Sequence, residues 1–246
     1  MSRAAIDTRA PIVPQIYAAL RREIVTMELE PGQALSEKEI ADRFGVSRQP
    51  VREAFIKLAE KELVQVMPQR GTYVSKISVR DLANARFVRE AVEVAVARSA
   101  CAIASDAAIE ALRELVEAQR AAERANDQVE FLARDEDFHR ALAESVDGAK
   151  IWLVVEDVKA QMDRVRFLTL PTATPASLLI EQHTDIINAI ARRDPAAAET
   201  AMRVHLREIL LALPRMFKDH ADLFDAESLP KHARDLDPGN LLRFTP

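Results

Sequence analysis

The stretch LSEKEIADRFGVSRQPVREAFIKL, residues 35–58, reads as two short helices joined by a tight turn. Ser36 followed by Glu39 is a capping box: the serine oxygen accepts from a backbone N–H of the first turn, and the glutamate reaches back. Ile40 and Phe44 then fall one turn apart on an apolar side. Gly45 ends the helix, because a residue without Cβ takes a left-handed backbone readily. Ser47 is expected to cap the second helix, and Pro50 falls in its first turn, where a missing N–H does little harm. Val51, Ala54, Phe55 and Leu58, spaced i, i+3, i+4, i+7, form a buried stripe. Arg48, Gln49 and Arg52 point away from it. Arginine can donate a bidentate pair to guanine and glutamine a matched pair to adenine, so this turn suits base edges in a major groove. Read alone, the same face is also compatible with solvated arginines on an ordinary helix pair.

The flanks favour the DNA reading. Upstream, Ile16, Leu20, Ile24 and Met27 share one face of a helix expected over 13–27, and residues 1–11 read as a flexible N-terminus. Downstream, Leu63 to Val66 and Thr72 to Val74 are short β-prone runs around Met67-Pro68-Gln69-Arg70-Gly71. They predict a hairpin with a glycine at or near its tip. Arg70 beside Gly71 would let that tip approach a phosphate or the minor groove.

With these residues in view, residues 12–77 resemble the winged helix-turn-helix of the GntR family of transcriptional regulators. The resemblance rests on Leu29-x-Pro31-Gly32, Leu35-Ser36-Glu37, the run from Val46 to Ala54, and Arg70-Gly71-Thr72-x-Val74. It implies DNA contacts from Lys38, Ser47, Arg48, Arg52 and the wing around Arg70 and Gly71; Gln49 joins them from its place on the exposed turn. One departure is Glu62, where the family usually has glycine before the Leu-Val of the first wing strand.

At 246 residues the chain is long enough for two cores. Residues 1–76 hold 12 Lys and Arg against 10 Asp and Glu; the remainder holds 22 against 29. A slightly basic module on an acidic body suggests local phosphate contacts and no generic polyanion affinity. The single Cys101 excludes an intrachain disulfide framework and, among alanines and valines, reads as a small buried apolar residue. No apolar run is long enough to cross a membrane, and the expected location is the cytoplasm.

Beyond Val79 the pattern is helical throughout. Helices are expected over 79–104, 106–125, 128–146, 150–169, 176–193 and 195–215, with Pro171, Pro175 and Pro195 marking breaks. The expected fold class is mainly α: an N-terminal winged helix-turn-helix with a small β-hairpin wing, then an all-helical bundle over 78–218. A tail over 219–246 has no assigned structure. The helix at 79–104 is apolar on two sides, through Leu82, Phe87, Val88, Val92, Val94, Val96 and Ile103, so one side is expected to face the bundle and the other a partner subunit or the winged domain.

Three of the five histidines fall on inward stripes of separate helices: His139, His183 and His205. Asp135 precedes His139 by one turn, so both side chains can aim at one point. Three imidazoles and a carboxylate suit a divalent transition metal: zinc first, with nickel or manganese as alternatives. Spacing alone leaves open whether the helices converge or each histidine packs separately.

The pattern Asp135-x-x-Phe138-His139, His183-x-x-Ile186 and His205 resembles the FCD effector domain of FadR-type GntR regulators. The resemblance extends over about residues 12–215 and matches all four metal-carrying positions. It implies a dimerising helical bundle that binds a small organic acid, often through the metal. Arg89 also matches the first effector-domain helix. It is the expected anchor for a carboxylate effector, with Arg86 as a further candidate, although Arg89 and Glu93 could equally form a plain i, i+4 ion pair. Asp147-Gly148-Ala149 departs from the Ser-Gly-Asn frequent there.

Together these observations predict a ligand-responsive repressor and no enzyme, binding a palindromic operator as a homodimer with recognition helices roughly 34–36 Å apart. Two alternatives remain at this point. One is a DNA-binding regulator whose metal is structural or is itself the signal. The other is a metal-dependent enzyme, in which an open coordination position activates water.

Overall fold

The structure, a computed structural model, describes residues 6–7, 9–171 and 173–225. They divide into two compact units, which break between Ser78 and Val79, and residues 223–225 belong to the first.

The first unit contains α1 (Ile12–Val25), β1 (Ala34–Leu35), α2 (Glu37–Phe44), α3 (Arg48–Glu60), β2 (Val64–Met67), β3 (Gly71–Val74) and β4 (Ile77–Ser78). Ile16, Leu20 and Ile24 of α1 and Val51, Phe55 and Leu58 of α3 are buried, as their spacing predicts. Met27 is not on that helical stripe: α1 stops at Val25, and Met27 has φ 60°. Ser36 accepts from the Glu39 N–H, and Gly45 adopts the left-handed backbone (φ 69°) that ends α2. Ser47 occupies the N-cap of α3 in an extended conformation but makes no side-chain cap bond, so its expected capping role fails.

The wing is a three-stranded antiparallel sheet in the order β1-β3-β2, with Leu35 opposite Thr72 and Val66 opposite Thr72 from the other side. The two-residue β1 was too short to read from alternation. Gly71 opens β3 at φ 110°, beside Gln69 at φ 62°. Glu62, where the family usually has glycine, also takes a left-handed backbone, φ 56°, a conformation that costs an L-residue roughly 1–2 kcal/mol. The N-terminal stretch expected to be flexible lies partly outside the described residues. Of those described, the Asp7 N–H donates to Gln15 Oε1, and Gln15 Nε2 donates back to the Asp7 carbonyl, so Asp7 is tied to α1.

The second unit comprises α4 (Val79–Ile103), α5 (Asp106–Arg124), α6 (Gln128–Glu144), α7 (Ala149–Val158), α8 (Ala160–Thr169), α9 (Ala176–Ala191) and α10 (Pro195–Asp219). Ser105, Asp127 and Asp194 each accept first-turn N–H groups from α5, α6 and α10. Helix α5 packs on α6 and α9, and α10 packs on α4 and α9, around Leu112, Phe131, Phe138, Leu142, Ile186 and Met202. Gly148 is required where it stands, because a Cβ there would lie 2.6 Å from the Ala143 carbonyl oxygen.

One expectation for this unit is corrected. The single helix over 150–169 is interrupted at Lys159, whose buried ammonium is held by Glu136 (2.9 Å) and Asp163 (2.6 Å). A buried cation drawn between two carboxylates leaves no trace in hydrophobic periodicity. Helix α4 buries Leu82, Val94 and Val96 but leaves Phe87 and Ile103 exposed in the single chain. After α10, a short 3-10 turn (Ala221–Leu223) leads to β5 (Phe224–Asp225), which pairs in parallel with β4 and belongs to the first unit. The rest of the tail, 226–246, lies outside the described residues.

Candidate metal centre and DNA-reading surface

Asp135 and His139 come from α6, His183 from α9 and His205 from α10, and all four side chains are buried. One ligand atom from each lies within 4.8 Å of all the others. His139 Nε2 and His205 Nε2 are 3.1 Å apart, and His183 Nε2 and His205 Nε2 are 3.3 Å apart. Asp135 stands 3.8 Å from His139 Nε2 and 3.7 Å from His183 Nε2. The three helices do converge.

The far side of each ring fixes what the near side offers. His183 Nδ1 is 2.8 Å from Gln119 Oε1, and the Gln119 amide donates to the Arg134 carbonyl, which sets its orientation. His205 Nδ1 is 3.1 Å from Gln182 Oε1, and the Gln182 amide donates to Glu208. His139 Nδ1 lies 2.6 Å from Glu93 Oε2, an ion-pair contact off the ideal hydrogen-bond direction. His183 and His205 turn Nδ1 to amide oxygens, which only accept, so Nδ1 carries the proton and Nε2 presents a lone pair, while His139 turns Nδ1 to Glu93. All three Nε2 atoms face the same point, the arrangement that orients histidines toward a metal. Lone pairs this close repel unless a cation lies among them. Both Asp135 oxygens are also buried without an aligned hydrogen bond. The donor set therefore fits a divalent transition ion.

Electrostatics keep the site ready for a cation. Burial, partly opposed by Asp135, lowers the His183 imidazole to about 3. Burial, reinforced by His183 and His139, pushes His205 well below its usual range. Both rings are neutral near pH 7. Burial alone would raise Asp135, but the Arg166 charge, then His139 and His183, outweigh it and hold the carboxyl well below the ordinary range. Glu93 follows the same logic: burial raises it, while Arg89 and His139 bring it down to about 2.

Phe138 stacks on His183, ring centroids 4.1 Å apart, and fixes the plane of that ring. Beside His205 lies a narrow cavity with 30 Å³ open to water-sized contents, lined by Arg89, Met162, Arg166, Thr174 and Glu208 among others. Arg89 is thus where an effector anchor is expected, and it also makes the buried i, i+4 pair with Glu93 (2.5 Å). Arg86 is not a lining residue. Its guanidinium is bound to Glu90, which Arg203 and Arg207 also hold. Sequence reasoning missed Arg166, Glu93, Gln119 and Gln182 as partners of the four ligands. Only Glu93, one turn from Arg89, had been singled out at all.

In the first unit, Lys38, Ser47, Arg48, Gln49, Arg52, Arg70 and Gly71 are all exposed. Arg48 and Arg52 are not free: Arg48 donates to Glu37 (2.8 Å), and Arg52 does so through two nitrogens (2.9 and 3.2 Å). Gln49 donates to Glu53 (3.0 Å). Glu37 therefore gathers both arginines on one side of α3. Arg70 stands at the wing turn, where its carbonyl accepts from the Tyr73 hydroxyl.

Comparison with known proteins settles the family. Residues 13–74 match the model for bacterial regulatory proteins of the gntR family, and residues 85–208 match the FCD domain. This chain belongs to the GntR family of transcriptional regulators and carries an FCD domain. The regulator is 42% identical over 222 residues to the HTH-type transcriptional repressor RspR of Escherichia coli, covering 90% of this chain and 97% of that one. It is 38% identical over 217 residues to an HTH-type transcriptional regulator of Streptomyces ambofaciens, covering 87% and 91%. Among solved structures, E. coli McbR/YncC superposes with a TM-score of 0.73 at 20% identity, covering 85% of the regulator and 99% of that chain. That likeness speaks to the fold. The family consists of regulators, so the metal-dependent enzyme is set aside. No helix among the described residues is long and apolar enough to cross a membrane.

Proposed function

We propose that this GntR-family regulator is a cytoplasmic repressor that binds a palindromic operator as a homodimer. It senses a small organic acid through a metal held by Asp135, His139, His183 and His205. The observation that carries this reading is the convergence of three Nε2 atoms and a buried carboxylate, with each Nδ1 facing an acceptor from behind. The relative named a repressor matches nearly its whole length here, which supports repression. Operator contacts are assigned to Lys38, Ser47, Arg48, Gln49, Arg52, Arg70 and Gly71, all exposed on one small unit. Exposed Phe87 (54%) and Leu211 (68%) on the effector unit suit a second copy.

Bound there, the metal supplies a Lewis-acidic point for an anionic ligand. Arg89 supplies a directed donor beside it. A ligand changes operator affinity only if it binds two arrangements of the protein unequally. A second reading is favoured by one observation: the cavity beside His205 is narrow, with 30 Å³ open to the centres of water-sized contents. On that reading the metal is itself the signal.

The test is metal analysis by mass spectrometry of wild type beside His139→Ala, followed by operator binding with and without acid. About one zinc per chain in wild type, lost in the variant, is the expected result. Neither uptake nor retention of metal by wild type would sink the metal reading while leaving the DNA reading intact. Operator affinity set by zinc alone, with no response to any acid, would favour the second reading.

A further inference from the structure

Asp135 has two suitors. Arg166 Nη2 stands 2.5 Å from its Oδ1, and the same oxygen faces His183 Nε2 at 3.7 Å. Arg166 comes from α8 and lines the cavity that contains Arg89 and His205. Its side chain is 15% exposed, whereas Asp135 is fully buried. Its Nη2 makes no aligned hydrogen bond despite the short contact. Arg166 thus stands between two places, the ligand carboxylate on one side and the cavity on the other.

Charge accounting makes the pairing conditional. Asp135 and Arg166 balance one another, as do Glu93 and Arg89. A dication drawing on Asp135 would leave these four groups and the ion with a surplus of two positive charges, against which the cavity offers only the Glu208 carboxylate. The Asp135 lone pairs are then shared with an ion of higher charge, and the Arg166 guanidinium is repelled from it. A buried guanidinium without a counter-ion is costly, so it needs another anion. Arg89 is prepared in the same direction: its Nη1 is spent on the Met162 thioether (3.3 Å), a weak acceptor that a carboxylate oxygen would outbid.

We infer that Arg166 is an exchangeable partner of Asp135: it neutralises the carboxylate when the site is empty of metal, and turns to the cavity to grip an anionic ligand, beside Arg89, when metal is bound. This rests on the metal reading above. It adds that metal and organic acid bind in a set order, because the arginine that recognises the acid is released only by the ion. The ligand class it selects is a small carboxylate with two faces, one for the metal and one for a guanidinium fork. Arg166 acts here as a specificity-determining residue, and Asp135 as the point through which the two binding events are coupled.

The experiment compares full-length wild type with Arg166→Met and Arg166→Lys. Zinc affinity is read by competition with a chromogenic chelator, and acetate affinity by calorimetry on the zinc-loaded proteins. Arg166→Met removes the competitor, so its zinc affinity rises about tenfold or more, the scale by which one nearby opposite charge biases a carboxylate. Its acetate affinity falls by a similar factor. A side chain with a merely structural role would lower both. If the uncompensated Asp135 prevents Arg166→Met from folding without metal, Arg166→Lys keeps the charge; it should hold zinc as wild type does while losing acetate affinity, because an ammonium lacks the planar fork. Zinc affinity unchanged or lowered in a folded Arg166→Met overturns the exchange, as does acetate affinity unchanged in either variant. No acetate uptake by zinc-loaded wild type overturns the anchoring. No zinc uptake by wild type removes the metal reading itself, and the inference with it.

Discussion

Both units of this regulator set arginines against carboxylates, and they do so in opposite surroundings. In the DNA-reading unit, Arg48 and Arg52 converge on Glu37 with their side chains 64% and 58% exposed. In the effector unit, Arg89 meets Glu93 and Arg166 meets Asp135 with side chains 15% exposed or less. Exposed pairs of this kind contribute about 0–1 kcal/mol and are screened by salt. A phosphate can therefore displace Glu37 at little cost. Buried pairs lose far more when one partner is removed, on the order of 3–5 kcal/mol, because the survivor is left without water or counter-ion. The first arrangement suits rapid, salt-dependent exchange with a polyanion. The second suits a site that changes state only when another charge takes the place of the one that leaves.

The largest test of this contrast is acid. His183 is depressed from 6.5 to about 3 in the folded metal-free protein, so between those values the unfolded chain binds the extra proton. Its contribution is fully present above about pH 6.5 and is lost as pH falls, by at most roughly 1.4 kcal/mol per unit. Glu93, lowered from 4.5 to about 2, adds a loss of the same sign below about pH 4.5. Thermal melts of metal-free protein from pH 7 to pH 5 should show a steadily falling midpoint that is nearly indifferent to salt. A flat profile would place the effector-unit charges in water, as in the other unit.

Next in size is Arg52→Ala. Operator affinity should fall by about 1–3 kcal/mol if Arg52 reads a guanine, with the effector unit's metal content unchanged. Fluorescence anisotropy on an operator duplex gives the number, and equal binding by both proteins would remove Arg52 from the interface. The smallest effect is expected from Glu37→Gln. Freed of their carboxylate, Arg48 and Arg52 should bind random-sequence duplex more tightly, by less than about 1 kcal/mol, and with a steeper dependence on salt. Weaker binding instead would mean that Glu37 serves mainly to aim the arginines.

How far the sequence was legible differs between the units. In the first, the signals that were read act within one helix or turn, so Ser36, Gly45 and the Val51-to-Leu58 stripe carry their meaning locally. The failures there are also local: Ser47 sits at the cap without bonding, and α1 ends at Val25, short of Met27. In the second unit, helix positions followed from periodicity, and the break at Lys159, whose ammonium meets Glu136 of another helix, did not. Asp135 and His139 were legible as an i, i+4 pair. Arg86 was drawn to the effector site by adjacency and is bound to Glu90 instead.

The amino-acid sequence alone determined the winged helix-turn-helix, the helical nature of the rest and four candidate ligand residues on inward faces. Each of those follows from spacing within a single element, or from motifs that resemble a known family. Only the tertiary structure decided that the three Nε2 atoms meet, that Gln119, Gln182 and Glu93 occupy the Nδ1 atoms behind them, and that Arg166 stands against Asp135. Gln119 and His183 are 64 residues apart and His139 and His205 are 66 apart. Helical periodicity states which face of a helix is buried. It carries no information on which other helix that face meets, and the chemistry of this site lies in those meetings.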